Sequence, residues 1–403
     1  MREEGAAPEL PPQNGDSLRT TIDLTLQRYV DSIWPAGVRG AMVAMTPRGE
    51  ILAMYSAPSY DPNEFIGGIS GAGWNALNDD PARPLLNRAI QARYPPASPF
   101  KLAIATMALK RGLVNFNSRM PEPCRGGLLY GNRYFRCWKK EGHGSLDLTG
   151  AIVGSCDVYF YQLGLRLQLA NLLSEGAALG FRERSGVDLH SEVNPVFPSS
   201  VAYFDRVYGP RNWSNGVTLN LAIGQGENAQ TVMNMMRFYE ALASDGVGQT
   251  PYLVQPAQGS PLNLGLTTVQ LDGLRQALLA VVEKGTAAAS RHRDLTVGGK
   301  TGTAQNPHGK DHGWFIGFAP VDAPEIIVGG IMEFAEHGTA VAPYVVRTIR
   351  RFILGPDSAA PAPVRLITPE DSAPRAFDLN DGGPPEPAIP DSFLLPPPPD
   401  SQP

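Results

Sequence analysis

Apolar positions fall at helical spacing in some stretches of the chain and in short continuous runs in others, and the two kinds of stretch are segregated along it. After Arg19-Thr20-Thr21-Ile22-Asp23, the positions Leu24, Leu26, Tyr29, Val30 and Ile33 predict a helix with these side chains inward. The runs 41–45 and 51–55, joined by Pro47-Arg48-Gly49, predict a hairpin, and Ser59-Tyr60-Asp61-Pro62-Asn63 has the chemistry of a turn leaving the sheet. A buried helix is predicted over 98–113, with Ser98 as its cap, Pro99 at the first helical position, and Phe100, Ile104 and Met107 inward. The stretch 114–148 reads as loop. A second helix is predicted from near Leu146 straight across Ser155 and on through Tyr159 to Leu163. Helical patterns recur at about 165–179, 229–244, 267–283 and 342–354, the last closed by Gly355, and strand patterns at 296–303, 313–318 and 326–332. Two early strands, an internal run of helices, three late strands and a closing helix predict an α+β fold whose sheet is assembled from both chain ends.

The chain has 403 residues and a net charge of −5. That length fits one large catalytic domain over 18–355, preceded by a polar leader over 1–17 and followed by a Pro-rich, unpacked tail over 356–403. The charge offers no basic stripe, which argues against nucleic acid as a partner. No apolar run is long enough to span a bilayer, and residues 1–17 hold no signal core. Three cysteines are too few for a disulfide scaffold.

Candidate chemistry centres on Ser98-Pro99-Phe100-Lys101. On a helix this spacing stacks the hydroxyl and the ammonium on one face, and the expectation is that they hydrogen bond directly. A desolvated lysine can take a serine's proton, and the backbone N–H groups at the helix start can stabilise an oxyanion. Alone, Ser-x-x-Lys describes many capped helices. Downstream lie Ser155-Cys156-Asp157 and Lys300-Thr301-Gly302-Thr303, each unremarkable alone. The ordered trio is what carries information.

With these motifs stand Thr21-Ile22-Asp23, the 49–54 strand, Asn87-Arg88-Ala89-Ile90, Gly186-Val187-Asp188-Leu189, Ile223-Gly224-Gln225-Gly226-Glu227 and the 299–305 segment. From about Thr21 to Ile353 the sequence resembles the transpeptidase domain of class B penicillin-binding proteins. The 136–144 segment and the Ser-x-Asp form of the second motif resemble the elongation-specific branch. The resemblance implies a penicillin-binding, serine β-lactamase-like transpeptidase fold, with a central antiparallel sheet, flanking helices and a helical insert. It implies a peptidoglycan D,D-transpeptidase that cross-links stem peptides, is acylated by β-lactams, and needs no cofactor for catalysis.

By the same resemblance Ser98 is the nucleophile, Lys101 the base, and Ser155 a proton relay. Asp157 holds the lysines, while Lys300, Thr301 and Thr303 grip the substrate's terminal carboxylate. Gly302 admits the substrate backbone, and the N–H groups of Ser98 and Thr303 form the oxyanion hole. Implied partners are a membrane glycosyltransferase and other elongation-complex proteins. The implied location is periplasmic, on an inner-membrane anchor not contained in this sequence. Two alternatives stay open: a β-lactamase of the same fold, for which Glu183 and Glu192 are candidate deacylation bases, and a non-catalytic β-lactam sensor or scaffold. Ala97 and Pro99 stand where the family usually has Gly and Thr, and Ala97 is expected to tighten the turn. Asp157 stands where Asn is commoner, placing a negative charge between the lysines and favouring their protonated forms.

All three cysteines share one window with a histidine: Cys124, twelve residues, Cys137, five, His143, twelve, Cys156. Cys3His is a closed tetrahedral zinc set, and a structural zinc behind the second motif is the leading expectation. Glu122 and Glu141 are substitutes should Cys124 lie too far away. One disulfide plus a spare thiol, or three unrelated buried cysteines, remain alternatives. His190, His292, His308, His312 and His337 lack metal spacing, and Trp138, Trp213 and Trp314 suit core or groove walls.

Overall fold

The structure, a computed structural model, describes residues 15–254 and 261–356. The leader up to residue 14 and the Pro-rich tail from 357 lie outside the described residues. The chain begins with α1 (Leu24–Ile33), the hairpin β1 (Gly40–Met45) and β2 (Ile51–Ala57), and α2 (Gly71–Asp79). The insert holds α3 (Lys101–Lys110), the ribbon β3 (Gly127–Tyr130) and β4 (Arg133–Arg136), α4 (Leu148–Val153), α5 (Asp157–Leu167) and α6 (Leu169–Ala178). It continues through α7 (Ala202–Tyr208), α8 (Gly216–Ala222), α9 (Val232–Ala243), the short pair β5 (Val247–Gly248) and β6 (Leu262–Asn263), and α10 (Thr268–Lys284). Then come β7 (Gly298–Ala304), β8 (His312–Ala319), β9 (Ile326–Met332) and α11 (Ala342–Leu354).

The main sheet runs β2-β1-β9-β8-β7, every pair antiparallel, and so joins the two ends of the chain as expected. Register places Met42 opposite Gly330 and Val43 opposite Gly329. A Cβ on Gly329 would lie 2.4 Å from the Met236 sulfur on α9, whereas the Thr348 hydroxyl on α11 reaches the Met42 sulfur at 3.4 Å. Neighbouring positions on a strand face opposite sides, so α9 and α11 cover opposite faces of the sheet. That double cover explains why β1, β8 and β9 are buried along their whole lengths.

Four expectations are corrected. Leu24 is exposed rather than inward, because the helix starts at that residue, where the Asp23 carboxylate accepts the Thr25 and Leu26 N–H groups. The helix expected to cross Ser155 is broken there, and the one expected over 165–179 is interrupted at Gln168, which has φ +69°. Finally, the loop-rich stretch 114–148 contains the β3–β4 ribbon. Helices α2, α7 and α8 were not expected; α2 buries none of its residues, so no apolar period marks it. Among the described residues no helix is long and apolar enough to cross a membrane.

Candidate active site

Ser98 does not cap a helix. It opens a single 3-10 turn, Ser98–Phe100, ahead of α3, and the cap position falls to Ala97 with φ +51°. That backbone region is costly for a residue with a Cβ, by about 1–3 kcal/mol, so its surroundings must enforce it. Ala97 N–H donates to Gly224 O at 2.8 Å and Phe100 N–H to Ala97 O at 2.9 Å. A Cβ on Gly224 would strike Ala97 O at 2.2 Å, so this glycine is what lets the two segments close. The Tyr239 hydroxyl donates to Pro99 O at 3.0 Å, and Phe100 is edge-on to Phe181 in the core beneath.

The second motif occupies the break between α4 and α5. Gly154 ends one helix, Ser155 turns the chain with φ +52°, and Asp157 opens the next. A continuous helix would bury the Ser155 hydroxyl in its own turn; the break turns it toward Ser98, to which it donates at 3.0 Å. The same oxygen accepts from Lys300 Nζ at 2.9 Å and from Lys101 Nζ at 3.3 Å. Lys101 Nζ also donates to Ser155 O at 2.9 Å and to Asp157 Oδ1 at 2.6 Å. These are its hydrogen-bond acceptors among the described residues, so the expected direct bond to Ser98 is replaced by one through Ser155. Asp157 Oδ2 accepts the Trp138 backbone N–H at 3.0 Å, and the Trp138 indole N–H holds Gly154 O and Ser155 O, both at 3.1 Å.

The third motif lies on β7, the edge strand. Pro99 fills the space a Gly302 side chain would need, 2.4 Å from a Cβ built there. Gly302 is therefore required by the nucleophile turn packing on the strand, whatever substrate does. Lys300 and Lys101 are fully buried and do not line the cleft. The cleft, of about 630 Å³, is bordered by Ser98, Ser155, Asp157, Thr301, Gly302 and Thr303. The expected grip of Lys300 on a carboxylate is therefore corrected, because its amine is spent on Ser155 Oγ and Thr301 O. Hydroxyls of Thr301, Thr303 and Thr286 remain on the wall, Thr286 and Thr301 paired at 2.6 Å.

Two buried lysines share one buried carboxylate, and the burden is uneven. Burial pushes Lys300 well below the ordinary lysine value, and the charge of Lys101 adds to this. Burial pushes the Asp157 carboxyl up, against the opposing charge of Lys101. Asp157 was expected to keep both lysines protonated; it bonds only Lys101, since its other oxygen is occupied by Trp138. Glu192 accepts the Ser185 and Gly186 N–H groups, and neither it nor Glu183 lines the cleft, so the structure offers neither as a deacylation base.

Cys124, Cys137, His143 and Cys156 converge, their four ligand atoms all within 4.8 Å of one another. The cysteines are free thiols, which removes the disulfide alternative, and Glu122 and Glu141 are not part of the set. His143 Nδ1 lies 3.6 Å from Cys124 Sγ and 3.5 Å from Cys137 Sγ. Tetrahedral zinc with Zn–S of about 2.3 Å and Zn–N of about 2.0–2.1 Å separates S and N by about 3.5–3.6 Å, so the donor set fits that ion.

Sequence reasoning did not single out Thr286, Gln225 or His337 as wall residues of the cleft. Gln225 lay within a quoted segment, and its amide donates to Thr303 O at 3.0 Å. Thr286 and His337 stand in no motif and arrive only through packing.

Residues 40–351 match the family model described as penicillin binding protein transpeptidase domain. The chain is 34% identical over 358 residues to the peptidoglycan D,D-transpeptidase MrdA of Acinetobacter baumannii, covering 82% of this chain and 53% of that protein. With MrdA of Escherichia coli K12 the identity is 32%, over 86% of this chain and 59% of the other. The chain thus spans about half the length of the curated relatives it matches. A crystal structure of Pseudomonas aeruginosa PBP2 in complex with WCK 5153 superposes with a TM-score of 0.77 at 32% identity, covering 84% of this chain and 76% of that one. A Helicobacter pylori complex between PBP2 and MreC gives 0.77 at 32%, covering 84% and 64%.

Proposed function

This chain belongs to the penicillin-binding protein transpeptidase family, and from that premise we propose that it is a peptidoglycan D,D-transpeptidase of cell elongation. The observation that carries the reading is the bond from Ser155 to the Ser98 hydroxyl, with Lys101 and Lys300 both on Ser155. Ser98 Oγ attacks the penultimate D-alanine carbonyl of a stem pentapeptide. Its proton passes to Ser155 Oγ, which hands its own to the lysine pair. Lys101, held by Asp157, and Lys300, whose pKa burial pushes well below the ordinary lysine value, form the amine pair that receives it. The backbone N–H groups of Ser98 and Thr303 receive the oxyanion, and the Thr301, Thr303 and Thr286 hydroxyls hold the terminal carboxylate. D-alanine leaves with the returned proton, and an amine from a neighbouring strand resolves the ester. The reaction needs no cofactor.

The Cys124, Cys137, His143 and Cys156 set would hold a structural zinc ion. With four protein ligands it supplies rigidity and no open coordination position. Cys137 and Cys156 flank Trp138 and Ser155, so the ion would brace both walls that aim Asp157. The catalytic unit would span 18–355, displayed on the periplasmic face by a membrane anchor. The relatives' names and the Helicobacter pylori complex support elongation-complex partners.

Intact mass after mixing with a penicillin tests the function. The expected result is one adduct persisting for hours, absent in Ser98→Ala. Release within minutes would make the chain a β-lactamase, and no adduct would favour the scaffold reading.

A further inference from the structure

The β3–β4 ribbon carries a face that the acylation chemistry leaves unused. Tyr134 and Arg136 alternate along β4 and so leave the same side of the ribbon, Trp138 follows in the bend two residues beyond the strand, and all three are exposed. Leu129, also exposed, lies directly across from Tyr134. Between residues 125 and 142 there are five basic side chains, Arg125, Arg133, Arg136, Lys139 and Lys140, against one acidic, Glu141, in a chain whose net charge is −5. Arg125, Arg136, Lys139 and Lys140 are exposed and have no ion-pair partner among the described residues. Ordinary surface charge is mixed in sign, so this is a local field attractive to anions.

The row runs into the cleft. Arg136 and Trp138 border it together with Ser98 and Ser155, and Trp138 is bonded to Asp157 and Ser155. The ribbon thus meets the cleft beside Ser155 and Asp157, whereas Thr301 and Thr303, proposed for the donor's carboxylate, lie on β7 together with Lys300. An amine that resolves the Ser98 ester surrenders a proton to Ser155 Oγ, and the ribbon end at Trp138 is the cleft wall bonded to that residue.

Resting on the transpeptidase reading above, we propose that this ribbon face binds the acceptor, an extended acidic peptide that carries the resolving amine. Its carboxylates meet the unpaired Arg136, Lys139 and Lys140, and Tyr134 and Trp138 give flat surfaces for its backbone. In the step this serves, the amine nitrogen bonds to the acyl carbon and the bond from that carbon to Ser98 Oγ breaks. The proton lost by nitrogen returns through Ser155 Oγ to Ser98.

The test uses the full chain, acylated by a small uncharged thioester donor, with two competing acceptors: an amine-bearing tripeptide with free carboxylates and the same peptide fully amidated. Read as the ratio of aminolysis to hydrolysis within one acyl-enzyme population, the outcome does not depend on how much protein is folded. The carboxylate acceptor should win by about fivefold at low salt, the size of two to three exposed charge contacts, and the margin should shrink as salt rises. Lys140→Glu combined with Lys139→Glu should erase or invert it, and Tyr134→Ser should lower transfer to both acceptors. Equal use of the two acceptors by the parent, or a preference untouched by the charge reversals, overturns the proposal while leaving acyl transfer standing. Failure to form any Ser98 acyl-enzyme would overturn the transpeptidase reading and the ribbon's role with it.

Discussion

Two clusters in this molecule each set two basic side chains around one carboxylate, arginines in one and lysines in the other. Glu333 Oε1 accepts Arg88 Nε at 2.9 Å and the Tyr94 hydroxyl at 2.7 Å, and its Oε2 meets Arg39 Nε at 3.1 Å. The remaining Arg88 nitrogens are satisfied by Arg83 O and Ala82 O. Around Asp157, Lys101 is paired while Lys300 reaches only Ser155 Oγ and Thr301 O. Guanidinium cannot give up its charge in a protein, so the first arrangement ties the end of β9 to the segment leading to the nucleophile turn by fixed charges. An ammonium can, and crowding two of them in a dry site pushes the Lys300 pKa well below the ordinary lysine value. The same stoichiometry holds a fixed charge with arginine and, in the function proposed above, a titratable amine with lysine.

Exchanging the residue types breaks that contrast most severely. Lys300→Arg keeps the positive charge and removes the titratable amine, and penicillin acylation, followed by stopped-flow or intact mass, should fall by about 10²–10⁴-fold. Retention of the parent rate would remove Lys300 from the proton path. In the parent, acylation should rise with pH through a value well below the ordinary lysine value of 10.5 and then level off. The sign follows because protonated Lys300 has no electron pair to offer. Since the unfolded chain binds that proton over the whole interval up to 10.5, this group's contribution to stability also rises with pH there.

Next in size is the opposite failure. Glu333→Gln leaves Arg88 buried without its anion, and urea denaturation should show a loss of about 3–5 kcal/mol. Acylation per folded molecule should change little; a collapse of that rate at unchanged stability would blur the distinction between the clusters.

Chelation sharpens it from behind. Metal analysis should find about one zinc per chain, and its removal, or Cys137→Ser, should slow acylation by about 10-fold by loosening Trp138 and Ser155. Among the described residues no hydrogen bond or ion pair joins the Glu333 cluster to that site, so the protection of β9 amides from hydrogen exchange should persist. The smallest effect concerns Thr286→Val, which deletes the partner of the Thr301 hydroxyl. It should raise KM for a D-alanine-terminated substrate about 3–10-fold, one hydrogen bond's worth, with acylation by a neutral thioester unaffected.

Much of the fold was legible because its signals are local. The hairpin 40–57, the late strands and α9 to α11 follow from apolar runs along the chain, and Gly355 marks the end of α11. The breaks were illegible for a local reason as well. Around Ser155 the apolar period continues unbroken, and only tertiary contacts hold that residue at φ +52°. Ala97 is similar: nothing in its identity announces a positive φ, and the segment that holds it there is Gly224, on which a Cβ would lie 2.2 Å from Ala97 O.

The sequence by itself determined the family, the three motifs and the Cys3His set, since residue type and order along the chain suffice for these. What the tertiary structure decided is which lysine stands with Asp157, that Ser155 lies between Ser98 and both amines, and that Lys300 is closed off from the cleft. Those outcomes depend on distance and burial among segments about 50 to 200 residues apart in the chain, and a pKa, unlike a motif, is a property of surroundings rather than of spelling.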